Sequence, residues 1–388
     1  MHKKDLLNVV IHAYENIDLT LGYPVNQISN MGDFYKWYDA TGLNQWSFNN
    51  VGDPFGEKDP FALCTLRIER EVIEYFAPRY GIKKEDVWGF VTTSGTDGNN
   101  HGIYFGANCL FAQTGMYPIA YVSAEAHYSS RRLCDVQHLE VRLIKTKKSG
   151  AMDPEDLRAK LDPSKPALII LAIGSTFLGA TDDQDEVERV LEEVKPIAYY
   201  RHVDGALFGG YLPFTDNKDI VDMSLHHFDS IAISGHKFFG IDDPCGLFLT
   251  TKRVIDAQKH YKVEYLNSSI PTISCSRSGM TPLKFYFTIH NIGEEGFKKQ
   301  AEAFLSRTEY LQKKFDEIGY PAWHNPHSNT VFFRRPSDEI IEKYNLAEGY
   351  NEAYGGKLTH IVVMQQVSEK VIDGFIAELV EWMKSEKA

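Results

Sequence analysis

A lysine placed directly behind an apolar run is the clearest chemical feature of this 388-residue sequence. Lys237 closes the stretch Ser230-Ile231-Ala232-Ile233-Ser234-Gly235-His236-Lys237, with His236 beside it and Ser234 three residues before. An amine at a strand end is partly desolvated. Its pKa falls, and the neutral form condenses with an aldehyde cofactor to a Schiff base. A lone lysine there would ordinarily cap its strand at the surface, so the reading depends on what stands at the other strand ends.

Asp204, in Arg201-His202-Val203-Asp204-Gly205-Ala206, is an acid set between apolar and small residues. A buried, unpaired carboxylate is costly. Pairing it with a protonated ring nitrogen removes that cost and makes the ring a stronger electron sink; alone, it would read as a helix N-cap. The turn Thr92-Thr93-Ser94-Gly95-Thr96-Asp97-Gly98 offers backbone N–H groups and hydroxyls at a helix start, which suits a phosphate. Its spacing matches neither a Walker loop nor G-x-G-x-x-G, so nucleotide binding is not indicated. His127, just past residues 119–122, can lie flat on a planar ring and reach a substrate carboxylate. Thr176, in Gly174-Ser175-Thr176, offers a hydroxyl to a ring oxygen.

These residues need a scaffold that gathers strand ends. Apolar runs at 88–92, 119–122, 167–173, 199–203 and 230–233 alternate with amphipathic stretches such as 183–194, where Val187, Val190, Leu191 and Val194 share a face. The pattern predicts buried parallel strands in a doubly wound α/β domain. Ligands of such sheets bind beyond the carboxyl ends of the strands, where all five polar groups fall. Residues 1–60 are rich in aromatics, Asn and Gly, and helical spacing is weak until 66–76. Past 295 the pattern predicts a helix over 294–318, strands over 330–333 and 360–364, and a helix over 368–384 with Ser368 as N-cap. The expected division is an N-terminal arm (1–60), a large α/β domain (61–290) and a smaller α+β domain (291–388).

Composition narrows the function class. A formal net charge of −12 argues against nucleic acid, whose phosphates need clustered Lys and Arg. No uninterrupted apolar stretch reaches the ~18 residues of a membrane span, and residues 1–5 lack the apolar core of a signal peptide. A cytoplasmic protein away from membranes is expected. Cys64, Cys109, Cys134, Cys245 and Cys275 form no C-x-x-C pair and no zinc pattern, so reduced thiols and no metal are expected.

Taken with Leu21-Gly22-Tyr23-Pro24, Phe48-Asn49-Asn50-Val51-Gly52-Asp53, Ala126-His127-Tyr128-Ser129, Pro244-Cys245-Gly246 and Thr272-Ile273-Ser274-Cys275-Ser276-Arg277-Ser278-Gly279, these motifs resemble the group II pyridoxal-phosphate decarboxylases of fold type I. The likeness spans nearly the whole chain and is strongest to the short bacterial histidine decarboxylases. It implies a fold type I PLP-dependent transferase-like architecture with a mostly parallel seven-stranded sheet. It further implies a homodimer with the site at the subunit interface, which residues 274–279 would help complete. The implied reaction is α-decarboxylation of an L-amino acid to its amine, L-histidine to histamine foremost.

On that resemblance Lys237 would carry pyridoxal phosphate, Asp204 would face its pyridine nitrogen, and His127 would stack on its ring. Ser94, Gly95, Thr96, Ser234 and His236 would hold the phosphate, with Ala206 and Thr176 completing the cofactor site. Tyr265 falls where the family keeps a loop tyrosine that protonates the substrate carbon. His127, Tyr23 and Phe48 are the candidate substrate contacts, and the aromatics suit an aromatic or other apolar side chain equally. The turn reads Thr-Ser-Gly-Thr-Asp at 93–97 where the short histidine decarboxylases tend to have Asn-Gly-Gly-Thr-Glu, and Gly205 stands where Ala is usual. These departures leave the cofactor chemistry intact and the substrate open. An aminotransferase or an oxidative decarboxylase on the same fold is the competing enzyme reading. Lys237, Asp204 and His127 together speak against a non-catalytic homologue.

Overall fold

In a computed structural model, residues 3–28, 31–259, 262–266 and 268–386 are described. The N-terminal part holds more helix than expected. Helix α1 (Lys3–Asn16) carries Leu6, Leu7, Val10, Ile11 and Tyr14 at helical spacing along one face, and all of them are exposed. Helix α2 (Met31–Ala40) buries Met31, Phe34 and Tyr38. Strand β1 (Asn49–Val51) follows, and then α3 (Leu66–Phe76), which buries Leu66, Glu69, Val72, Ile73 and Phe76 along one face.

Glu69 is an acid on that apolar face, and three partners satisfy it. It accepts hydrogen bonds from Asn50 Nδ2 and the Val91 N–H, both at 2.8 Å, and pairs with Arg277, which is also buried. Arg277 sits opposite Asn50 where the strand Ser276–Ser278 runs antiparallel to β1. Removing one partner of such a pair costs about 3–5 kcal/mol, because the other charge is left buried alone. The motifs at 48–53 and 272–279 thus meet as one internal tie.

The central sheet is built from β2 (Val87–Thr92), β3 (Ile119–Ser123), β4 (Val141–Ile144), β5 (Ala167–Ala172), β6 (Tyr199–Asp204), β7 (Ser230–Ser234) and β8 (Gly246–Thr251). Its order is β2-β8-β7-β6-β5-β3-β4, and β3 to β7 pair in parallel. The run at 88–92 forms β2, which runs in the same direction as β3 to β7 but lies beyond β8 and pairs antiparallel with it. Strand β8 returns from β7 without an intervening helix, and a connection of that kind reverses direction, since a parallel partner needs a crossover. The sheet is therefore mostly parallel with one reversed strand, and the chain has the fold type I arrangement.

Helix α4 (Gly95–Thr114) lies close against β6 and β7. A Cβ on Gly102 would fall 2.2 Å from the His202 ring, so only glycine lets the helix approach. His202 is held from two sides, by Ser230 Oγ at 2.8 Å and Asn99 Oδ1 at 3.0 Å, and burial pushes its pKa down to about 3. Helix α5 (Tyr128–Val136) follows β3.

Two compact units emerge: Ser29–Thr176 with Thr181–Lys298, and Met1–Ile28 with Phe177–Ala180 and Lys299–Ala388. The smaller unit carries an antiparallel sheet in the order Ala322–His324, Thr330–Arg334, Gly356–Val362, Ala347–Asn351, backed by the helix Glu369–Ser385. The arm expected over 1–60 is divided between the units. Leu21 joins the smaller one through backbone bonds to Tyr344 and Val362, and His360 bonds the carbonyls of Gly22 and Phe177. The helix expected over 294–318 begins earlier, at Met280, and breaks at Gly293, whose φ of 65° is non-helical. Among the described residues no helix is long and apolar enough to cross a membrane.

Candidate active site

The larger unit gathers the candidate residues at the carboxyl ends of its strands. Strand β7 ends at Ser234, and the chain turns through Gly235, His236 and Lys237 before β8. The neck of this turn is closed by Gly235 N–H donating to the Cys245 carbonyl at 2.8 Å and by Cys245 N–H donating to His236 Nδ1 at 3.3 Å. Lys237 is half-buried and has no hydrogen-bond partner among the described residues. Burial pushes its ammonium pKa down, and the Asp204 carboxylate pulls it partly back.

Asp204 ends β6 and is 8% exposed; its Oδ1 accepts the Ala206 N–H at 3.2 Å. His127 caps the start of α5. The Ser129 N–H donates to its Nδ1 at 3.3 Å and Ser129 Oγ lies 2.7 Å away, so Nδ1 carries the lone pair and Nε2 the proton. Burial lowers the His127 pKa, Asp204 raises it and Lys237 lowers it further. His236 is lowered by burial, against a backbone bond to Cys245, and also by Lys237. Side chains from three strand ends thus lie within reach of one another's charge.

A second cluster forms where α4 begins. Ser94 is its N-cap, and Ser94 Oγ accepts the Asp97 N–H at 3.1 Å. A Cβ on Gly95 would come 2.3 Å from Ser234 Oγ and 3.7 Å from the Ala206 Cβ, so the helix start, the end of β7 and the turn after β6 converge at the glycine. The N–H groups of Gly95 and Thr96 lie in a first helical turn, where no intrahelical acceptor exists and the helix dipole is positive. Such a donor set fits a phosphate, and a deprotonatable amine beside a carboxylate fits an aldehyde on a basic ring; the residues present match pyridoxal phosphate.

Thr176 is exposed beyond β5. Phe48 accepts the Gly279 N–H on its carbonyl at 3.2 Å, beside β1. Tyr23 is 51% exposed in the smaller unit. The backbone of Tyr265 lies in the short 3-10 turn Glu264–Leu266, but its side chain, and Tyr261 entirely, lie outside the described residues.

Three features escape the sequence reading. Asp97 pairs with His101 one turn on, at 3.2 Å; burial pushes Asp97 up, yet bonds from His101 and Thr93 leave its pKa lowered. Their i, i+4 spacing on α4 is the signal that could have found them. Glu125 lies two residues before His127, with its pKa raised by burial. Lys284, wholly buried, binds Asp242 Oδ1 at 2.7 Å, Tyr35 Oη at 2.9 Å and Asp243. Burial alone would lower this ammonium, but those bonds raise it well above an ordinary lysine. Nothing in the local sequence marks it.

A family model described as the pyridoxal-dependent decarboxylase conserved domain matches residues 112–333. The chain is 36% identical over 368 residues to serine decarboxylase 1 of Oryza sativa subsp. japonica, covering 93% of this chain and 72% of that protein. It is 32% identical over 385 residues to the histidine decarboxylase of Morganella morganii, covering 96% and 98%. Among solved structures, L-methionine decarboxylase from Streptomyces sp. 590 superposes with a TM-score of 0.81 at 21% identity, over 98% of this chain and 96% of that one, which shows a shared fold.

Proposed function

The chain belongs to the pyridoxal-dependent decarboxylase family and is a pyridoxal-phosphate-dependent amino-acid decarboxylase, a lyase; from that premise we propose that it converts L-histidine to histamine at the crevice around Lys237. The observation that supports this reading is that Lys237, Asp204 and His127 stand at the carboxyl ends of β7, β6 and β3, parallel strands of one sheet. Bound there, pyridoxal phosphate supplies a cationic conjugated ring that accepts the electron pair left when the carboxylate departs.

In this reading each residue has one task. Lys237 Nζ, poised by its lowered pKa, binds the cofactor aldehyde. Asp204 keeps a proton on the ring nitrogen. His127 would stack on the ring, leaving its Nε2–H to meet the substrate carboxylate. Ser94, Gly95, Thr96, Ser234 and His236 hold the phosphate, and Ala206 and Thr176 border the cofactor. Tyr265 delivers the proton that replaces carbon dioxide at Cα. Phe48 is assigned to the substrate side chain. A homodimer is proposed as well, because the exposed apolar residues of α1 make a surface that a second copy would cover. The assigned compartment is the cytoplasm.

L-Serine is the second reading, favoured by the 36% identity to a rice serine decarboxylase. The test is a spectrum of the purified protein before and after borohydride, then mass spectrometry of the Lys237 peptide and of amines formed from a panel of L-amino acids. A visible band lost to borohydride, a label on Lys237 and histamine as sole product support the proposal. Ethanolamine in place of histamine moves it to serine. A label on any other lysine overturns the site.

A further inference from the structure

We propose that His101 is a positioning residue that couples the turn assigned to the cofactor phosphate to the segment Ile270–Cys275, which follows the Tyr265 turn; this rests on the site reading above. One line of hydrogen bonds joins the two. The Thr93 N–H and Oγ1 donate to Asp97 Oδ2 at 2.9 and 3.1 Å. His101 Nδ1 lies 2.8 Å from the Asp97 carbonyl and 3.2 Å from its Oδ1. At the far end of the ring, Nε2 accepts the Ile273 N–H at 2.9 Å.

The direction of these bonds is fixed. A backbone N–H can only donate, so Nε2 carries the lone pair and Nδ1 the proton given to Asp97. The ring is wholly buried, edge-on to Phe90 at 4.6 Å and Phe105 at 5.6 Å, so its orientation is set by packing. Among the described residues no other hydrogen bond joins Ile270–Cys275 to α4. A cavity of about 330 Å³ beside the tie is lined by Asn100, Gln137, Gln258, Lys259, Thr272 and Ile273, so packing alone does not fix the height of the segment. An anion that draws in the turn at Ser94–Asp97 therefore acts through Asp97 and His101 on Ile273.

The simplest alternative is a buried histidine that merely satisfies a loop N–H. It predicts a contribution to stability that is the same with and without cofactor. The test is limited trypsin digestion of the full chain stripped of cofactor, following cleavage at Lys259 and Lys262 by mass spectrometry, with and without added pyridoxal phosphate. In the wild type the cofactor slows cleavage about tenfold, within the usual range of coupling between two sites. His101→Phe, which keeps the ring packing and loses both nitrogens, binds the cofactor as a visible band but loses that protection.

Ile273→Pro removes the donor from the other side, leaves α4 untouched, and loses it too, which keeps the test decisive if His101→Phe does not fold. His101→Gln, able to donate and accept, restores part of it. Full protection in a cofactor-bound His101→Phe or Ile273→Pro variant overturns the proposal and leaves the site reading standing. A wild type that binds no cofactor overturns both.

Discussion

The same residue types occur twice in the larger unit, once at the crevice and once in the interior, and only their partners differ. Lys284 is fully enclosed and holds Asp242, Asp243 and Tyr35; its charge is stabilised and its amine inert. Lys237 is less enclosed, has a lowered pKa and has Asp204 as its raising influence. His202 is fixed by Ser230 and Asn99, whereas the His127 Nδ1 is held by Ser129 and its Nε2 has no hydrogen-bond partner among the described residues. Glu69 has three partners, and Asp204 accepts one backbone N–H. Burial is common to both regions, so burial does not mark chemistry. What marks it is a charged group left short of partners at a strand end.

The largest effect should separate the two lysines. Lys237→Ala should abolish the borohydride-sensitive band and lower turnover on the order of 10⁴-fold, the upper end for removing a group that handles protons. Lys284→Met should keep the band and hold kcat within about tenfold while lowering stability, since Asp242 and Asp243 lose their counter-charge but are themselves partly exposed to water. Equal losses, measured as kcat on the best amine-forming substrate, would erase the distinction.

Asp204→Asn comes next, with a fall in kcat of about 10²–10³-fold from the loss of charge stabilisation. It should also move the pH midpoint for cofactor capture by the stripped protein downward. Asp204 raises the Lys237 pKa against burial, so without it burial acts alone. A midpoint that rises would mean Asp204 does not face the amine.

His202 sharpens the contrast through stability. Its pKa is about 3 when folded and near 6.5 when unfolded, so between those values the unfolded chain binds more protons. Stability is full above pH 6.5 and falls as the pH drops, by about 1.4 kcal/mol per unit. His202→Gln should flatten that slope in denaturant titrations run at several pH values. An unchanged slope would assign acid lability to other groups.

How much of this was legible in the sequence follows from the range over which each feature is determined. Lys237, Asp204 and Ser94 stand out because each directly follows an apolar strand, and strand ends are local in sequence. The run at 167–173 was readable as β5 because it is buried on both faces, with Leu168 to Leu171 at most 1% exposed. The place of β2 at the sheet edge was not, because its only neighbour, β8, lies more than 150 residues later. Helix α1 was legible in the spacing of Leu6, Leu7, Val10, Ile11 and Tyr14, but that face is exposed among the described residues, so the period points to no core within the chain. Arg277 read as part of a motif for a neighbouring subunit; its partner Glu69 lies 208 residues away and appears only once the chain is folded. Tyr23 and Phe48 were chosen for ring chemistry alone, and a ring's place in space cannot be read from its type.

The smallest effect tests whether the crevice adds anything to an ordinary structural device. Ser94 and Ser368 are both helix N-caps: Ser94 Oγ accepts the Asp97 N–H at 3.1 Å, and Ser368 Oγ accepts the Val371 N–H at 3.3 Å. Replacing either by alanine should cost about 1 kcal/mol of stability, because one first-turn N–H is lost to solvent or left unpaired. Ser94 stands where α4 meets Ser234 and Ala206, so Ser94→Ala should also weaken cofactor capture several-fold, roughly the worth of one hydrogen bond to a charged group. Ser368→Ala, at the last helix of the smaller unit, should leave capture unchanged. Titrating both stripped variants with pyridoxal phosphate decides it: equal affinities would reduce Ser94 to a cap, and a loss confined to Ser94 would make the start of α4 part of the site.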